Sequence, residues 1–174
     1  VAWQLMSRHQ VSHTFLPPTA LKMLRTLPDP SRHGRLGLVS VASGGESLGP
    51  QLIDWGRRTL GVTINEFYGQ TECNMIVSSC AALFEPRIGA MGRPVPGHEV
   101  RIIDDTGRIQ PPGVEGHIAV HRPDPVMFLQ YWRNPEATAR AFIGDWLVTG
   151  DRGLCDEDGY LWFKGRGDDV ITSA

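Results

Sequence analysis

The stretch Val62-Thr63-Ile64-Asn65-Glu66-Phe67-Tyr68-Gly69-Gln70-Thr71-Glu72 decides how this chain is read. Val62 to Phe67 has the composition of a strand, and a polar, glycine-containing segment follows it at once. Toward the N-terminus, Leu52, Ile53 and Leu60, with Trp55, occupy positions that suit the buried face of a helix. Before that helix, the continuous apolar run Leu36 to Ala42 reads as a buried strand and passes into Ser43-Gly44-Gly45-Glu46. Earlier still, the short run Val11 to Leu16 ends at Pro17-Pro18, which starts a helix through Leu21, Met23 and Leu24. The resulting β-α-β-α-β order implies parallel strands with crossover helices. Ligands of such sheets collect beyond the carboxyl ends of the strands, where Gly44-Gly45-Glu46 and Tyr68–Glu72 both fall.

After about residue 85 the pattern changes. Short strands over Glu99–Ile103, Gly116–Val120, Asp145–Val148 and Tyr160–Lys164 are separated by turn-forming segments such as Asp105-Thr106-Gly107 and Pro111-Pro112-Gly113. One helix interrupts them, with Asn134 as its N-cap, Pro135 in the first turn and Glu136 facing the positive helix end. The expected fold class is α/β: the end of a parallel-strand α/β subdomain over residues 1–85, then a small β-rich subdomain, an antiparallel sheet or distorted barrel, over 86–166.

Composition narrows the function. The 174 residues are 41% hydrophobic and 21% charged, with a net charge of -2, so no global field attracts nucleic acid or an anionic membrane. No apolar stretch is long enough to span a bilayer. Three cysteines, Cys73, Cys80 and Cys155, form no CxxC pair, which argues against a disulfide framework and for a reducing setting, the cytoplasm. The sequence contains no GxGxxG fingerprint, GxxxxGK[ST] loop or HExxH pair. The opening at Val1 and the stop at Ala174 both read as cuts, so a piece of a longer protein is expected.

Four polar clusters remain. The paired glycines of Gly44-Gly45-Glu46 let a flat ligand approach the backbone, or simply make a strand-to-helix turn. Tyr68-Gly69-Gln70-Thr71-Glu72 offers an aromatic for a base, a hydroxyl for a phosphate oxygen and a carboxylate for Mg²⁺, or is a polar loop. In Thr149-Gly150-Asp151 a carboxylate after an apolar strand can take a ribose diol, or cap a turn. In Gly165-Arg166-Gly167-Asp168-Asp169 the arginine can meet phosphate or ribose oxygens, or form a solvated salt bridge in a linker.

Taken in this order, Gly44–Leu48, Glu66–Glu72, Thr149–Asp151 and Gly165–Ile171 resemble the adenylate-forming superfamily of acyl-CoA synthetases, firefly luciferase and peptide-synthetase adenylation domains. Gly89–Pro94 and Pro111–Ile118 match the connecting segments, so the likeness covers nearly all of the chain. The Tyr-Gly-Gln-Thr-Glu form and Asp168–Ser173 are most similar to the medium-chain acyl-CoA synthetases. Such enzymes use MgATP to turn a carboxylic acid into an acyl-adenylate and then pass the acyl group to CoA.

The resemblance implies that Gly44, Gly45, Glu46 and Glu66, Phe67 and Tyr68 line adenine and acyl pockets, with Gly69 and Gln70 in the nucleotide-binding motif. Thr71 contacts the α-phosphate, Glu72 holds Mg²⁺, and these two carry the catalytic roles. Asp151 takes the ribose hydroxyls with Arg166 beside it, and Asp168 is the hinge to a C-terminal domain that starts over residues 167–174. Cys73, Asn74 and Met75, with Gly44, border the acyl tunnel. The family's Ser/Thr/Gly-rich phosphate loop and its C-terminal lysine are not in the 174 residues, so the expectation is an adenosine half-site that does not turn over alone. A cut sheet of this kind is also expected to self-associate. An adenylation enzyme that loads a carrier-protein thiol and a non-catalytic nucleotide-binding module are the alternatives.

Overall fold

Proline begins two of the helices in the first half of the chain. The computed structural model describes residues 1–27 and 30–167, and the expected hinge Asp168 lies outside the described residues. Within them, α1 (Ala2–Arg8) leads to β1 (His13–Phe15), and α2 (Pro18–Arg25) begins on Pro18. Then come β2 (Ser40–Gly44), α3 (Pro50–Trp55) and β3 (Ile64–Gln70). On α2 the stripe Leu21 and Leu24 is buried, whereas Met23 lies off it and is exposed. Past α3 the chain makes one wider turn, Gly56–Leu60, and stops at Gly61, whose φ of 74° is left-handed.

The chain divides into two units, Val1–Phe67 with Ser79–Gly89, and Tyr68–Ser78 with the residues from Ala90 onward. In the first, β1, β2 and the start of β3 pair in parallel, His13 opposite Ser40 and Val41 opposite Ile64. The core there includes Trp3, Leu21, Val41, Leu52 and Ile64. Each such aliphatic side chain contributes about 2 kcal/mol by leaving water.

The second unit holds the end of β3, β4 (Asn74–Ser78), β5 (Arg93–Pro94), β6 (Val100–Ile103) and β7 (Gly116–His121). After these come α4 (Pro135–Arg140), β8 (Phe142–Ile143), β9 (Trp146–Cys155) and β10 (Leu161–Arg166). Its main sheet is antiparallel in the order β10-β9-β7-β6, with β8 beside β9. Two register shifts bend it, one between β7 and β9 and one between β9 and β10. Cys73, Ile76, Ile102, Ile118 and Leu147 belong to its core. The fold class is therefore the α/β end of a parallel-stranded subdomain followed by a small β-rich one.

Three of the differences from the sequence reading bear on the site. The run Leu36–Ala42 enters the sheet only at Ser40, because β1 is three residues long and first pairs there. β3 extends to Gln70, so Tyr68, Gly69 and Gln70 are strand rather than loop. Thr149-Gly150-Asp151 lies inside the ten-residue β9, not at a strand end. The Asn134 cap is as expected: its side chain accepts from the Ala137 amide at 3.0 Å.

Candidate functional site

In the first unit, β2 and β3 end side by side, with Ser43 opposite Glu66 and Gly44 opposite Phe67. Gly44 has to be glycine. A Cβ there would come 2.8 Å from the Phe67 ring and 2.9 Å from its carbonyl oxygen. At Gly45 the φ of 94° lets the chain leave the strand in a conformation that other residues resist. Glu46 then faces solvent, 3.7 Å from Lys22 Nζ, in an exposed pair that adds little stability.

Glu66 is buried, and Ser79 holds its backbone from both directions. The Glu66 amide donates to Ser79 Oγ at 2.7 Å, while the Ser79 amide donates to the Glu66 carbonyl at 2.7 Å. Burial pushes the Glu66 carboxyl up to about 7, with a backbone hydrogen bond from Leu48 pulling the other way. On the opposing strand, Ser43 is fully buried and its hydroxyl has no hydrogen-bond partner among the described residues.

In the second unit, β3 turns back through Thr71–Cys73 into β4, closed by the Cys73 amide donating to the Gln70 carbonyl at 3.1 Å. Gly69 permits this return, since a Cβ on it would collide with the backbone carbonyl of Asn74. Asn74 itself takes a φ of 55°, which asparagine tolerates better than most residues. Just before the turn, Tyr68 donates its hydroxyl proton to Asp151 Oδ2 at 2.6 Å. Burial, then the hydrogen bond to that carboxylate, pushes the Tyr68 phenol far above its usual range, so it stays a donor.

Two bulges place the partners of Tyr68. Between His117–Arg152 and Ala119–Val148, three residues of β9, Thr149 to Asp151, face the single residue Ile118. Thr149 anchors this bulge by donating to the Ile118 carbonyl at 2.9 Å, and Gly150 takes a φ of 81° at its centre. In β10 the extra residue Lys164 shifts the register so that Arg166 comes opposite Asp151. Arg166 Nη1 lies 3.6 Å from Asp151 Oδ1, and the Gly167 amide donates to the Gly150 carbonyl at 2.8 Å. Asp151 is thus a buried carboxylate with a phenol on one oxygen and a guanidinium near the other. A carboxylate has about four acceptor positions, so two remain for a vicinal diol.

Glu72, half-buried in the turn, is tied to one loop by both its backbone and its side chain. The Phe128 amide donates to its carbonyl at 2.7 Å, and the Tyr131 hydroxyl donates to Oε1 at 2.8 Å. Mg²⁺ takes one or two carboxylates together with substrate phosphates and water. Glu72 fits that pattern with Oε2 left open, and no group of three or more His, Cys, Asp or Glu able to hold a metal exists among the described residues. Thr71 is exposed beside it.

Among the residues expected at an acyl tunnel, Asn74 and Met75 are exposed, but Cys73 is fully enclosed in the core. Burial pushes the Cys73 thiol up to about 11, so it is a protonated packing group. A cavity of about 350 Å³ lies against α1 and α2 in the first unit, and one of about 630 Å³ lies between the Arg122–Gln130 segment and α4 in the second. Neither is lined by a site residue expected from the sequence. Sequence reading missed Tyr131 and Phe128, which bear no motif and act through contacts 59 and 56 positions away from Glu72.

The family model for AMP-binding enzymes matches residues 1–132. A human relative, the mitochondrial acyl-coenzyme A synthetase ACSM4, is 42% identical over 162 residues, which are 91% of this chain and 27% of that protein. The crystal structure of the anthranilate CoA ligase AuaEII in complex with anthranoyl-AMP superposes with a TM-score of 0.87 at 31% identity, covering 99% of this chain and 33% of that one. The Bacillus subtilis O-succinylbenzoate coenzyme A synthetase MenE, in complex with ATP and magnesium ion, gives a TM-score of 0.82 at 26% identity, covering 99% and 35%. The chain spans about a third of the length of the relatives it matches. No helix among the described residues is long and apolar enough to cross a membrane.

Proposed function

The chain belongs to the AMP-binding enzyme family, and from that premise we propose that it carries the adenosine-binding part of an acyl-adenylate-forming ligase. The observation that carries this reading is Asp151, a buried carboxylate lifted on a bulge between the Tyr68 hydroxyl and the Arg166 guanidinium. Its two remaining acceptor positions suit the 2′- and 3′-hydroxyls of a ribose, and Arg166 suits a neighbouring oxygen.

Around it in the second unit, Gly69 and Gln70 carry the motif to Thr71, whose exposed hydroxyl would donate to the α-phosphate. Glu72 would hold Mg²⁺, and the ion when bound draws negative charge off the phosphate oxygens. In the first unit, Gly44, Gly45, Glu46, Glu66 and Phe67 would line adenine and acyl contacts, a role that bare backbone at Gly44 and Gly45 favours. Asn74 and Met75 would border the acyl group, with Cys73 supporting them from behind.

In a protein of the relatives' length, the substrate carboxylate would attack the α-phosphorus of ATP and expel pyrophosphate. The CoA thiol would then attack the acyl carbon and release AMP. A medium-chain acid is the substrate we propose, in a reducing compartment such as the cytoplasm, consistent with three free cysteines. Residues 1–85 and 86–166 would be the two subdomains, and Asp168 in 167–174 the hinge. By itself the 174-residue chain would bind adenylate without making acyl-CoA.

A non-hydrolysable acyl-adenylate analogue titrated into the isotope-labelled chain tests this. The expected result is saturable amide shifts at Tyr68, Gly69, Asp151 and Arg166. A folded spectrum with no shifts overturns the binding assignment, and acyl-CoA formed by the purified chain overturns its inactivity.

A further inference from the structure

Glu72 is not held by its own turn alone. We infer that Tyr131 is a positioning residue for Glu72, fixing its carboxylate so that Oε2 faces a divalent cation; this rests on the reading of Glu72 as the Mg²⁺ carboxylate. The phenol donates to Oε1 at 2.8 Å, so one oxygen is pinned and the other is left open. A single carboxylate in a half-exposed turn otherwise samples several rotamers, and each one lost on binding an ion weakens the site.

Tyr131 is itself fixed through its backbone and its ring. Its amide donates to Thr138 Oγ1 at 3.0 Å, and Thr138 donates in turn to the Asn134 carbonyl at 3.0 Å. Asn134 caps α4, so the first turn of that helix anchors the loop carrying the phenol. The Tyr131 ring packs 4.8 Å from the Phe128 ring, which stacks 6.1 Å from Phe142 with planes 3° apart. Phe128 also gives its amide proton to the Glu72 carbonyl at 2.7 Å. The loop therefore grips backbone and carboxylate of the same residue, the arrangement by which an outer hydrogen bond orients a metal ligand.

Mn²⁺ serves as the probe, titrated with ATP present and followed by water-proton relaxation enhancement. The set is the unsubstituted chain, Tyr131→Phe, Glu72→Gln and the double variant, each first checked for an unchanged near-ultraviolet circular dichroism spectrum. Tyr131→Phe is expected to weaken Mn²⁺ binding about tenfold, the usual scale for losing an outer-shell partner. ATP affinity without metal should stay unchanged, and the double variant should bind no more weakly than Glu72→Gln alone. A Tyr131→Phe chain that binds Mn²⁺ like the unsubstituted one, while Glu72→Gln fails, overturns the positioning role and leaves the metal assignment standing. Equal binding by Glu72→Gln, or no enhancement in the unsubstituted chain, overturns the metal assignment and the inference with it.

Discussion

Glu66 in the first unit and Asp151 in the second are both carboxylates with 8% of their surface exposed. Equal burial has led to different chemistry. Around Glu66 desolvation outweighs the Leu48 backbone hydrogen bond, and the carboxyl keeps its proton up to about pH 7. Asp151 has a phenol at 2.6 Å and a guanidinium at 3.6 Å, donors that favour a charged acceptor. The lesson is that burial makes a carboxylate costly, while the donors aimed at it decide whether it can serve as a polar anchor.

The sharpest way to break the second region is at its glycine. Gly69→Ala drives a methyl into the Asn74 carbonyl, so the β3–β4 return has to open. The expected loss is about 3 kcal/mol or more in a denaturant titration. An alanine variant as stable as the parent chain would show that the return can relax around it.

The first region is tested by pH. Below 4.5, the ordinary value for a glutamate, folded and unfolded chains both hold the Glu66 proton. Above it the unfolded chain releases the proton while the folded chain keeps it to about 7, so stability falls as pH rises through that window. The fall is about 3 kcal/mol in total and levels off above the folded value. Glu66→Gln should flatten that part of the profile in denaturant titrations from pH 4 to 8. An unchanged slope in the variant would assign the pH dependence elsewhere.

A smaller effect is expected at Tyr68. Tyr68→Phe removes the hydroxyl from a buried carboxylate, and about 2 kcal/mol should be lost. A thermal melt of the parent chain and the variant reads the loss. A variant as stable as the parent would show that this hydrogen bond adds no net stability. Smaller again, Asn134→Ala removes the α4 cap and should cost about 1 kcal/mol.

How much of this was legible beforehand follows from where each feature resides. The parallel β1–β3 arrangement and the α4 cap are written in local patterns, apolar runs broken by Pro17-Pro18 or Gly44-Gly45 and an Asn-Pro-Glu start. Residues Tyr68, Glu72, Asp151 and Arg166 stood out as motifs, and the second unit brings Tyr68, Asp151 and Arg166 together. What could not be read is the means. The bulge opposite Ile118 and the extra Lys164 are properties of two paired strands, and neither strand alone shows them. Tyr131 was invisible because its role depends on a contact across the fold. Cys73 followed Glu72 in the chain and read as a tunnel residue, yet the turn sends it inward to the core.

The most direct test compares an acyl-adenylate analogue with its 2′,3′-dideoxyribose form by calorimetric titration, in the parent chain and in Asp151→Asn. The account predicts that the parent chain prefers the intact ribose by about a hundredfold, the scale of two hydrogen bonds to a charged group. Asp151→Asn should lose most of that preference while still binding the dideoxy form as the parent does. A parent chain indifferent to the ribose hydroxyls, or a preference that survives in Asp151→Asn, would contradict it.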